Sequence, residues 1–226
     1  MTMRINVLQH VSDEGPGSVM KWAHAHDAIV TVYHPNDFHK LPTVDETDLL
    51  VVLGSPTSPN DDDQWIKDER ALIKALLAVH KPMIGMCFGA QQMATVLGGQ
   101  VKDAPEKEVG WLEVTKQTDV IPGLPETVTP LHWHQQQFTI PQGAQILYSS
   151  KYLPEQAFIY QDNVIGLQFH LEPLMDNIRE MVANDGDYTE GSILNQSGQD
   201  IIDHGIPSEN QLVMNQLLDY LVQGAQ

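Results

Sequence analysis

Residues 48–53 read Asp-Leu-Leu-Val-Val-Leu and stop at Gly54. A strand with one wet face alternates apolar and polar residues, and this run does not. As a strand it must be covered on both sides, which is the situation in parallel sheets whose crossover helices lie on both faces. The flanking chain fits that requirement. Residues 4–9 and 28–33 read as strands, and apolar residues at helical spacing fill 18–26 between them. A loop of turn formers follows Gly54. Residues 65–79 then place Ile66, Leu72, Ile73, Leu76 and Leu77 on one helical face. Residues 82–86 form a further apolar strand. It runs directly into Cys87 and a helix over 90–97, closed by Gly98 and Gly99. This order predicts an α/β fold with an open, mostly parallel sheet and right-handed crossovers.

The second half changes character. Short strands are expected at 109–115, 127–132, 144–148, 156–160 and 164–169, and helices at 174–182 and 209–221. Residues 184–207 are polar, contain glycines and show no clear period, so they read as a long surface loop or a partly ordered insertion. With no internal repeat, heptad pattern or linker, residues 1–226 read as a single domain.

Three segments carry chemistry. In the first, Gly85-Met86-Cys87-Phe88-Gly89 joins a strand to a helix. That arrangement is a nucleophile elbow: a tight turn lifts the sulfur above the sheet, and the helix N-terminus behind it favours a thiolate. A lone cysteine would read as an inert buried thiol; the flanking glycines at a strand-to-helix junction argue otherwise. The second segment ends a strand in His170-Leu171-Glu172. Residues two apart in extended chain point the same way, so Glu172 can orient the His170 imidazole, which then takes and returns the thiol proton. Glu172 alone would read as a first-turn glutamate beside Pro173, and His170 alone as one of ten histidines. In the third segment the buried strand ends at Gly54, whose N–H is a candidate oxyanion donor together with that of Phe88.

Charge and composition exclude other classes. Twelve Lys and Arg stand against 30 Asp and Glu, a net charge of −18. Such a surface repels phosphate backbones and anionic lipid, so neither a nucleic acid nor a membrane surface is an expected partner. A single cysteine forms no internal disulfide, and the N-terminus lacks a signal-type apolar segment, which makes the cytoplasm the default location. His132 and His134 are the only close histidine pair in an expected strand, and spacing supplies no third ligand, so no metal and no cofactor is expected.

Together the three segments resemble the class I, triad-type glutamine amidotransferases, especially the amidotransferase domain of GMP synthase and its free-standing relatives. The family's G-x-C-x-G-x-Q is present as Gly85 to Gln91, and its Q-F-H-x-E as Gln168 to Glu172. Softer similarities are Glu108-Val109-Gly110-Trp111 and His132-Trp133-His134. The resemblance implies a flavodoxin-like sheet with the site at the carboxyl ends of the strands. It implies a Cys87, His170 and Glu172 triad, a γ-glutamyl thioester, an oxyanion hole from the Gly54 and Phe88 N–H groups, and Gln91 at the amino-acid end of the substrate. Two departures touch the substrate's neighbourhood. Ser55 replaces a second glycine, and His134, Gln135 and Gln136 stand where relatives show His-Gly-Asp.

Three functions fit this reading. One is a glutaminase-type subunit that acts on glutamine and passes ammonia to a separate synthase. Another is an independent hydrolase of γ-glutamyl peptides or amides. The third is a non-catalytic binding module, against which the intact triad argues. The sequence leaves the oligomeric state open.

Overall fold

The computed structural model describes residues 2–224. Its main sheet has nine strands. Five are parallel, in the order β2 (Ile29–Tyr33), β1 (Arg4–Leu8), β3 (Leu49–Val52), β4 (Met83–Met86) and β11 (Val164–Leu167). Antiparallel strands continue the sheet beyond β11: β10 (Ala157–Tyr160), β9 (Ala144–Ser150), β6 (Val114–Lys116) and β7 (Thr127–Val128). A separate antiparallel ribbon pairs β5 (Val101–Trp111) with β8 (Leu131–Phe138).

Helices cover both faces, as the unbroken apolar run requires. Leu49 and Val51 face the helices α1 (Gly17–Ala25) and α7 (Ser208–Gln223), packing with Val19, Trp22, Val213 and Leu217. Leu50 and Val52 face α3 (Gln64–Ala78) and α4 (Phe88–Val96), packing with Leu72, Ile73, Ala90 and Met93. All four residues of β3 are fully buried. Two further helices are α2 (Pro35–Phe38) and α5 (Met175–Asp185). No helix of the described residues is long and apolar enough to cross a membrane.

Two expectations need revision. The strands expected at 109–115 and 127–132 each divide, because Glu113 and Thr129 lie where the chain passes between the ribbon and the main sheet. Of the two alternatives for 184–207, the ordered insertion holds, with more regular structure than the sequence suggested. It holds a 3-10 turn at Gly186–Thr189 and a helix α6 (Gly198–His204), capped by Ser197 and Asp200. Ile201 of α6 is fully buried against Val109, Trp111 and Leu131, and the Trp111 indole donates to its carbonyl at 2.9 Å. A seven-residue helix with one core residue shows no period along the sequence; its order comes from contacts with distant strands.

Candidate active site

The parallel strands end on one edge, and the chemistry collects there. β4 lies between β3 and β11, and Cys87 follows it at φ 48° and ψ −108°. A non-glycine residue held there stores about 1–3 kcal/mol of strain. The turn is this tight because the start of α4 passes close over β3 and β4. A Cβ at Gly85 would come within 2.5 Å of the Gly89 backbone, and one at Gly89 would collide with the Val52 carbonyl. The Cys87 N–H donates to the Leu167 carbonyl at 2.8 Å, tying the elbow to the strand that leads to His170.

Beyond β11 the chain stays extended and bridges to β8. His170 N–H donates to the Leu131 carbonyl at 2.8 Å, and Leu131 N–H to the His170 carbonyl at 3.1 Å. His170 and Glu172 therefore point the same way, with Nδ1 2.6 Å from Oε1. The second carboxylate oxygen accepts the Leu171 N–H at 3.0 Å, so Glu172 cannot swing. Both side chains are buried. His170 Nε2 makes no formed hydrogen bond, and the Cys87 sulfur is the group it faces. Burial disfavours the imidazolium, but the Glu172 carboxylate and the adjacent sulfur outweigh it and hold the His170 pKa well above its ordinary value. The imidazolium is thereby favoured beside the sulfur.

The backbone groups sit beside this pair. Phe88 opens α4, so its N–H has no acceptor within the helix. A Cβ at Gly54 would lie 3.1 Å from His170 Cε1, which places Gly54 against the imidazole. The Gly54 carbonyl accepts from His10 Nδ1 at 2.9 Å, and His10 Nε2 meets Glu69 at 2.9 Å, all buried. Burial lowers the His10 pKa, yet Glu69 and the carbonyl raise it further, and two acceptors on one ring require both nitrogens to carry protons. This pair fixes the peptide after Gly54. No local pattern along the chain signals it, because His10 and Glu69 come together only when β1 and α3 pack.

A cavity of about 570 Å³ opens over Cys87. Ser55, Gln91 and His134 line it, but each is already engaged. Ser55 Oγ lies 2.7 Å from Thr57 Oγ1, and the Gln91 amide donates to Gln168 and to the Gln136 carbonyl at 3.2 and 3.3 Å. Trp133 also lines it, and lining residues that sequence reasoning missed include Glu14, Asp185 and Tyr188. Glu14 comes from the loop after β1, and its carboxylate rests on Gly54, where a Cβ would collide with it. Burial pushes the Glu14 pKa up to about 7; His170 opposes that shift, and Glu172 and Asp13 add to it.

His134 is held from behind. Glu108 sits directly opposite it in the β5–β8 register, and Glu108 Oε2 lies 3.1 Å from His134 Nε2 and 3.5 Å from His132 Nδ1. The same oxygen accepts from Gln156 at 2.5 Å, and Oε1 accepts from Ser150 at 2.8 Å. Burial raises the Glu108 carboxyl, but the two histidines outweigh it and hold it well below the usual range; burial also lowers His134. Glu108 is thus the third potential metal ligand that spacing did not supply, and its donor atoms lie within 4.8 Å of those of both histidines. The hydrogen bonds it makes with protein groups brace β8 and the Trp133 wall of the cavity.

Known proteins resemble this chain in sequence and in fold. The family model described as glutamine amidotransferase class-I matches residues 16–186. A glutamine amidotransferase-like protein of Salmonella typhimurium, YfeJ, is 28% identical over 193 residues, 80% of this chain and 81% of that protein. Gamma-glutamyl peptidase 5 of Arabidopsis thaliana is 31% identical over 139 residues, 57% of this chain and 55% of that one. A crystal structure of a glutamine amido transferase from Methylobacillus flagellatus superposes with a TM-score of 0.93 at 26% identity, covering 100% of this chain and 96% of the other.

Proposed function

We infer the reaction from the chain's family: it belongs to the class-I glutamine amidotransferases, and Cys87 is its nucleophile toward a γ-glutamyl amide. The Cys87 thiolate attacks the side-chain carbonyl carbon. The resulting oxyanion is held by the N–H groups of Gly54 and Phe88, and His170 gives its proton to the departing nitrogen. The C–N bond breaks, ammonia or an amine leaves, and a γ-glutamyl thioester remains. His170 then takes a proton from water, the hydroxide attacks the thioester, and glutamate leaves as the thiolate re-forms. Glu172 holds the ring in the tautomer that both steps need.

The observation that carries this reading is the pairing of a strained cysteine, on a strand-to-helix turn that lines the cavity, with a buried His170–Glu172 contact of 2.6 Å. Release of glutamate and ammonia from glutamine and from γ-glutamyl amides, with Cys87→Ala as control, tests it. Release that persists in a folded Cys87→Ala protein would sink the mechanism.

A second reading concerns the acceptor. With glutamine as substrate, ammonia would pass to a separate synthase subunit. The size of the cavity favours the independent hydrolase, since about 300–1,000 Å³ is the range of pockets that enclose ligands much larger than one amino acid.

A further inference from the structure

The cavity has a charge pattern that the hydrolytic reaction by itself does not require. Glu14, Asp61, Asp103 and Asp185 line it, and no lysine or arginine does. On one wall the carboxylates are already used: Asp61 accepts the Ser58 N–H at 2.9 Å, and Asp103 accepts from Gln136 at 3.4 Å. Glu14 and Asp185 belong to another wall. Asn184 donates to Asp13 at 3.4 Å, which brings these two segments together, and Tyr188 and Cys87 line the same cavity. Among the described residues neither the Glu14 nor the Asp185 carboxylate makes a hydrogen bond or an ion pair. Lys107 packs on the Tyr188 ring at 3.8 Å but donates to the Glu190 carbonyl and does not line the cavity.

The reaction assigns a direction to that wall. His170 protonates the leaving nitrogen, so the amine half of the amide must lie on the His170 side of Cys87. Glu14 rests on Gly54 beside that ring. A neutral or anionic amine half would leave the Glu14 carboxylate unpaired and the exposed Asp185 to solvent alone, and an anionic one would be repelled. A cation there pairs with them and lies beside the Tyr188 ring.

We propose, resting on the hydrolase reading above, that the physiological substrate is the γ-glutamyl amide of a cationic amine, a diamine or longer polyamine, with its free ammonium held by Glu14 and Asp185. The bonds made and broken are those already described; the leaving group is the amine in place of ammonia. Burial keeps Glu14 partly protonated near neutral pH in the empty cavity, and an arriving ammonium favours its ionised form.

The test uses three γ-glutamyl conjugates of matched length, made from diaminobutane, butylamine and γ-aminobutyrate, with glutamine as reference. The readout is kcat/KM for the full chain, for Glu14→Gln and Asp185→Asn, and for Cys87→Ala. The diamine conjugate is expected to exceed the butylamide by about tenfold, the scale of a partly desolvated charge pair. That ratio should shrink toward one in Glu14→Gln and in Asp185→Asn, and should fall at high salt in the unmodified protein. If Glu14→Gln does not fold, Asp185→Asn and the salt series still decide. Cys87-dependent turnover that favours the butylamide, the aminobutyrate conjugate or glutamine overturns the substrate assignment and leaves the hydrolase standing. Absence of Cys87-dependent release from all four compounds removes the hydrolase reading, and the substrate assignment with it.

Discussion

His170 Nδ1 and Glu172 Oε1 lie 2.6 Å apart, while the other Glu172 oxygen is held by the Leu171 N–H at 3.0 Å. The carboxylate is locked from both ends, so it fixes the imidazole and does not itself exchange protons with substrate. Removing the nucleophile, the base and the orienting group should therefore have unequal effects. Cys87→Ala should abolish turnover. His170→Ala should lower kcat by about 10⁶, and Glu172→Gln by roughly 10⁴. Steady-state rates on a γ-glutamyl amide check the order. A Glu172→Gln protein slower than His170→Ala would count against these roles.

Cys87 occupies φ 48°, a conformation that disfavours any side chain with a Cβ. Replacing it by glycine relieves that strain, and replacing it by alanine does not. Cys87→Gly should be more stable than Cys87→Ala by about 1–3 kcal/mol, the reverse of the usual ranking near the start of a helix. Urea unfolding of the two inactive proteins measures the difference. An alanine variant as stable as the glycine variant would mean that the elbow is not strained.

Glu14 binds its proton more tightly in the folded chain, with a pKa raised from 4.5 to about 7. The sign follows from linkage: stability from this group is complete below 4.5 and is lost as pH rises through about 7. Glutamine at this position cannot ionise. The stability of Glu14→Gln relative to the unmodified protein should therefore improve by about 3 kcal/mol between acidic and mildly alkaline pH. Denaturant unfolding at both ends of that range gives the number, and a pH-independent difference would show that Glu14 ionises freely. His170 has the same sign, so its contribution is also lost on the alkaline side, above its raised pKa.

Glu108 collects buried hydrogen bonds from Ser150, Gln156 and His134. Truncation would remove the acceptor these donors share, leaving Gln156 only the Ser150 hydroxyl and Ser150 only the Leu153 carbonyl. Glu108→Ala should cost about 3 kcal/mol or more in stability. Because β8 carries Trp133 into the cavity, the same change should raise KM more than it lowers kcat. Thermal melting and steady-state kinetics separate the two effects. An unshifted melting temperature would mean that the network is not holding the ribbon in place.

The parts of this protein legible along the chain are those set by local backbone geometry. The unbroken run Leu49–Val52 could only be a strand covered on both faces, and it is. Gly85 and Gly89 around Cys87 specify a close strand-to-helix turn, since any Cβ there meets backbone within the same motif or on the adjacent strand. His170 and Glu172 share a side because extended chain repeats every two residues. What tertiary structure decided depends on register and on contacts between distant segments. Glu108 reaches His134 because β5 pairs with β8 at that register, and His10 reaches Glu69 across 59 positions. Glu14, Asp185 and Tyr188 meet in one wall although the first lies more than 170 positions from the others, and α6 is ordered by a single buried isoleucine. Local sequence carries the angles available to a residue and the period of its neighbours. It does not carry which remote charge will share its cavity, because that follows from how the sheet and its coverings close over one another.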